Sequence, residues 1–135
     1  MKPLSILLVD DDQIERLKFK KACKKIKFVK SIEEAQNGKQ ALTLLNDHYD
    51  SFDIIISDLN MPKMNGFEFL IELKKNDNYK NIPIVIMSTS ESQSDIKRCL
   101  EIGISGYITK PIKYSEYEPK VTSLLEYWSN SEAIY

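Results

Sequence analysis

Apolar runs recur along the chain at 4–9, 52–56, 82–87 and 106–109. They are short, rich in Ile, Val and Leu, and nearly free of polar residues. That is the pattern of strands buried on both faces of a parallel sheet. A weaker run over 31–36 carries the acidic pair Glu33 and Glu34, which predicts an edge or half-exposed strand. Between the runs the apolar spacing becomes helical. Ile14, Leu17, Lys18, Lys21 and Ala22 continue one i, i+3, i+4 series; Ala41, Leu42, Leu44 and Leu45 form another; Phe67, Phe69, Leu70 and Leu73 a third; Ile96, Leu100 and Ile102 a fourth. A fifth runs from Tyr114 to Trp128 through Tyr117, Val121, Leu124 and Leu125. Pro119 lacks an N–H and belongs in a first turn, so the regular part of that helix is expected to start near Tyr117 or Glu118.

The order is strand then helix, five times. Such alternation predicts an α/β fold with a doubly wound, five-stranded parallel sheet, a (βα)5 three-layer sandwich. In such sheets ligands bind beyond the carboxyl ends of the strands. The residues to inspect are therefore 10–12, 58–62, 88–90 and 109–111.

With 135 residues there is room for one domain, expected over 1–130 with a tail at 131–135 and no output domain. An apolar fraction of 42% is enough for a packed core. Nineteen basic against 20 acidic residues leave a net charge of -1, which argues against direct nucleic-acid binding. The lysines are unevenly placed: Lys18, Lys20, Lys21, Lys24, Lys25, Lys27 and Lys30 crowd one early segment. Cys23 and Cys99 have no zinc-type spacing and His48 is the only histidine, so a metal site must be built from oxygen ligands. The first apolar run is too short for a signal peptide or a membrane span, so the expected location is the cytoplasm, away from the membrane.

Asp10 and Asp11 follow the first run and Asp58 the third. Carboxylates brought together in one cleft repel unless a cation holds them. All-oxygen ligands favour Mg²⁺, with Mn²⁺ or Ca²⁺ able to compete. Lys110, after the fifth strand, and Ser88, after the fourth, can reach the same volume. Carboxylate, divalent cation, lysine and hydroxyl are the parts of a phosphoryl-transfer site. There is no Gly-rich phosphate loop, and nucleophilic attack by a carboxylate gives an acyl phosphate. Asp12 alone reads as a helix N-cap.

Val9-Asp10-Asp11, Ser57-Asp58-Leu59-Asn60-Met61-Pro62 with Gly66, Ser88, and Tyr107-Ile108-Thr109-Lys110-Pro111 together resemble the CheY-like receiver domain of two-component response regulators, in its stand-alone form. The likeness covers almost the whole chain. It implies that Asp58 is the phosphoacceptor and that Asp10, Asp11, Asp58 and the Asn60 backbone carbonyl hold Mg²⁺. It implies that Lys110 pairs with the phosphoryl group, that Thr89 donates a backbone N–H to it, and that Ser88 and Tyr107 form a switch pair. The Lys110–Pro111 bond is then expected to be cis. A sensor histidine kinase or histidine phosphotransfer protein would supply the phosphoryl group. A downstream protein would read the face made by the fourth helix, fifth strand and fifth helix. Such a protein phosphorylates and dephosphorylates only itself and is not an enzyme with an outside substrate. The aromatics near Trp128 are similar to those of receivers paired with bacteriophytochrome-type kinases, and a monomer or weak homodimer is expected. Two other readings stand beside this one. Asp10-x-Asp12 formally matches a haloacid-dehalogenase-type phosphatase, and a phosphorylation-independent adaptor would keep the same fold.

Overall fold

The computed structural model describes residues 1–131, so most of the expected tail, 132–135, lies outside the described residues. Strands and helices alternate: β1 (Leu4–Val9), α1 (Gln13–Cys23), β2 (Val29–Ala35), α2 (Gly38–His48), β3 (Ile54–Ser57), α3 (Gly66–Lys75), β4 (Ile84–Ser88), α4 (Gln93–Ile102), β5 (Gly106–Thr109) and α5 (Tyr114–Asn130). A short 3₁₀ turn, Tyr49–Ser51, joins α2 to β3. All strand pairs are parallel and the sheet order is β2-β1-β3-β4-β5. The expected doubly wound (βα)5 fold is what the chain adopts.

Pleat alternation divides the core in two. Leu7, Val9, Ile55, Ile84 and Ile86 face α2, α3 and α4, where they meet Leu45, Phe69, Leu73 and Cys99. Ile6, Leu8, Ile54, Ile56, Val85 and Met87 face α1 and α5, where they meet Phe19, Tyr117, Val121 and Leu125. Burying one such aliphatic side chain stabilises the fold by about 1.5–3 kcal/mol. Four helices begin at a polar residue that accepts a backbone N–H: Asp12, Asn37, Asn65 and Ser92. At α3 the cap is reciprocal, because the Glu68 carboxylate accepts from Asn65 N at 3.1 Å.

Four local expectations are corrected. α1 buries Arg16, Phe19, Ala22 and Cys23, while Ile14 and Leu17 are 73% and 53% exposed. Arg16 takes a core-facing position because its guanidinium finds acceptors there. In α4 the buried residue is Cys99, and Leu100 faces solvent. α5 starts at Tyr114 and carries Pro119 inside it. Pro119 and Ser115, the residue whose carbonyl it leaves unpaired, are both exposed, so water can serve that carbonyl. No peptide bond among the described residues is cis, so Lys110–Pro111 is trans. Trans is the intrinsically favoured X–Pro form by about 0.5–1 kcal/mol, and with it Lys110 N still donates to Ser88 O at 2.8 Å.

Candidate functional site

The sheet sets the geometry of the site before any side chain does. Val9 pairs with Ser57 across β1 and β3, and Asp58 N donates to Val9 O at 2.9 Å. Asp10 and Asp58 therefore leave adjacent strands at one level. Ser88 pairs with Thr109 across β4 and β5, which brings Lys110 to the same edge. The chain after Asp58 folds back at once: Gly66 N donates to Leu59 O at 2.8 Å. A Cβ at position 66 would lie 2.5 Å from the Asp58 carbonyl oxygen, so only glycine fits this close approach.

Asp10, Asp11 and Asp58 each place a carboxylate oxygen within 4.8 Å of the others. Asp10 is buried, Asp58 half-buried and Asp11 exposed. Asp12 does not join them, because its carboxylate caps α1 by accepting from Ile14 N at 2.9 Å. The Asp-x-Asp pattern of a phosphatase is thus not assembled. Lys110 Nζ lies 2.9 Å from Asp10 Oδ2 and 3.3 Å from Asp58 Oδ2. Leu59 N donates to Asp58 Oδ1 at 2.7 Å, which fixes the carboxylate's plane.

Burial raises the Asp58 carboxyl above the usual range; Lys110 pulls it down, and Asp10 adds to the rise. Burial works against the Lys110 ammonium too, but Asp10 and Asp58 outweigh it and hold Lys110 above the ordinary lysine value. The two directions are consistent, since Lys110 has several carboxylates and each carboxylate has only a share of one lysine. A hard divalent cation suits this all-oxygen, net negative donor set.

The remaining expected residues sit around this centre. Asn60 and Thr89 are exposed, two residues after Asp58 and one after Ser88. Ser88 is fully buried, and its Oγ accepts from Ser90 N at 3.1 Å. The Tyr107 hydroxyl donates to Ser90 O at 2.8 Å, so the two residues are linked through Ser90. Tyr107 and Ile108 pack on opposite faces of the sheet, as strand alternation requires. Tyr107 also lines a groove of about 730 Å³ with Leu124, Tyr127 and Trp128 of α5.

Two residues escaped the strand-end reading because α1 carries them. Arg16 Nη1 donates to Asp10 O at 2.8 Å, and its Nε donates to Glu34 at 3.0 Å. A Lys20 hydrogen bond, with Arg16 beside it, holds Glu34 below the usual carboxylate range. Glu15 lies 3.6 Å from Lys110 Nζ. The signal that finds Arg16 is its i+3, i+7 spacing to Phe19 and Cys23.

Comparison with known proteins shows the family and the fold. A family described as the response regulator receiver domain matches residues 6–122. The chain is 30% identical over 130 residues to the probable methanogenesis regulatory protein FilR2 of Methanothrix harundinacea, covering 93% of this chain and 84% of that protein. Its fold superposes on the phosphorylated cyanobacterial phytochrome response regulator RcpA with a TM-score of 0.89 at 28% identity, covering 96% of each chain. The Mn²⁺-bound form of response regulator Rcp1 gives 0.85 at 26% identity, covering 98% and 99%.

Proposed function

The chain belongs to the response regulator receiver family, and from that premise we propose that Asp58 accepts a phosphoryl group in a Mg²⁺-dependent reaction. The observation that carries this reading is the Asp58 carboxylate, half-buried beside Asp10 and Asp11 and 3.3 Å from Lys110 Nζ. Receiver domains are signalling proteins that meet histidine kinases and downstream targets, and they bind divalent metal through an acidic cluster. In this chain Asp10, Asp11, Asp58 and the Asn60 carbonyl would hold the ion. When bound, Mg²⁺, or Mn²⁺ or Ca²⁺ in its place, neutralises charge on the transferred group.

The donor is a phosphohistidine of a sensor kinase or phosphotransfer protein. An Asp58 oxygen bonds to phosphorus as the phosphorus–nitrogen bond breaks, and the electron pair stays on the imidazole. Lys110 orients the group, and the Thr89 N–H is available to it. The new phosphoryl oxygens compete for the Ser88 hydroxyl. Moving Ser88 withdraws the acceptor of Ser90 N, and Ser90 O is what holds the Tyr107 hydroxyl. Phosphorylation thereby resets Tyr107 and the α4–β5–α5 face that a target protein reads. Self-phosphorylation and self-dephosphorylation complete the chemistry.

Labelling with acetyl phosphate and Mg²⁺ tests the assignment. Asp58→Asn abolishes acid-labile, base-labile phosphate, whereas Asp12→Asn, a helix cap, keeps most of it. Undiminished labelling of Asp58→Asn overturns the reading.

A further inference from the structure

Glu15 is a carboxylate with no role in the scheme above, and its setting is unusual. It sits in the first turn of α1, four residues before Phe19. With Asp10, Asp58 and Lys110 it lines a cavity of about 10 Å³ floored by Phe19, Met87 and Tyr117. Its Oε2 is buried and has no hydrogen-bond partner among the described residues. A buried carboxylate oxygen against aromatic rings is costly unless a cation faces it. Lys18, the neighbouring cation on α1, lies over the Tyr117 ring, 4.3 Å from its centroid. Lys110 Nζ, at 3.6 Å, is the one cation within ion-pairing distance of Glu15 among the described residues.

Lys110 has three N–H donors and three carboxylates around it: Asp10 at 2.9 Å, Asp58 at 3.3 Å and Glu15 at 3.6 Å. Glu15 is the one that neither follows a strand nor belongs to the acidic cluster. We infer that Glu15 is a positioning residue for Lys110: it draws the ammonium toward α1 and competes for it with the incoming phosphoryl group. This rests on the proposed phosphorylation of Asp58. Its consequence is that α1 weakens the capture of a phosphodonor without taking part in the transfer itself. Removing the Glu15 charge leaves Lys110 to the phosphoryl oxygens and removes one repulsion against an anionic donor.

The test uses the full chain with Glu15→Gln, which keeps the shape, and Glu15→Met, which keeps the length and removes polarity. Each variant is assayed at its own saturating Mg²⁺ concentration. The half-saturating acetyl phosphate concentration falls about two- to fivefold in both, the scale of one partly exposed charge, while the maximal rate changes little. The difference from wild type shrinks as salt rises. In the metal-free protein, the Lys110 ammonium protons exchange with solvent faster in both variants than in wild type. A half-saturation value that is unchanged or raised in either variant, or unaltered ammonium exchange, overturns the inference. Wild type that takes up no phosphate at Asp58 overturns the proposed function, and this inference with it.

Discussion

Burial lifts the Asp58 carboxyl above its usual range even though Lys110 stands beside it. A carboxyl whose folded pKa exceeds the unfolded one binds its proton more tightly in the folded state. Its contribution to stability therefore falls as pH rises from the ordinary aspartate range through the raised value. Ionised Asp58 is thus a destabilising group in the metal-free protein at neutral pH. Asp58→Asn should raise the metal-free melting temperature there, and the gap to wild type should close as pH falls toward the ordinary carboxylate range. Melting curves across that interval check this; an Asn variant that melts lower at neutral pH contradicts it. Asp10, Asp58 and Lys110 were legible in the sequence because each directly follows a strand, where the backbone dictates which edge a side chain reaches. Glu15 and Arg16 were not, because their approach depends on how α1 is rotated against the sheet. No neighbouring residue dictates the Lys110–Pro111 isomer: the family resemblance implies cis, and the bond is trans.

Helix rotation is where the hydrophobic pattern misled. In α1 the apolar side chains Ile14 and Leu17 suggested one buried stripe, but the sheet receives the stripe through Arg16, Phe19 and Cys23. Arg16 has the spacing of that stripe, and the acceptors Asp10 O and Glu34 explain how a guanidinium can occupy it. The distinction is measurable. Phe19→Ala should destabilise the protein by about 3–5 kcal/mol, whereas Leu17→Ala should cost less than about 0.5 kcal/mol. Urea denaturation of both variants decides between the two rotations, and comparable losses would contradict the observed one. The start of α5 was misplaced for a related reason. Pro119 forbids one helical hydrogen bond, and an exposed position tolerates that loss.

The molecule as a whole was more legible than its helices. Short apolar runs separated by helical spacing point to a parallel sheet, because strands covered by helices on both faces read as near-continuous apolar runs. Glu33 and Glu34 marked β2 as an edge strand, and it lies at one end of the sheet. No helix among the described residues is long and apolar enough to cross a membrane. The order β2-β1-β3-β4-β5 then brings the ends of β1, β3 and β5 to one rim, which is why residues 10, 58 and 110 meet although the chain separates them. The same topology makes the central claim specific to one atom pair: an acyl phosphate on Asp58 and on no other carboxylate. Borohydride reduces an aspartyl phosphate to homoserine. The protein is treated with acetyl phosphate and Mg²⁺, reduced, digested and sequenced by tandem mass spectrometry. The account predicts homoserine at position 58 and intact aspartate at 10, 11, 12 and 53. Homoserine at any of those four positions, or at none in the chain, would contradict it.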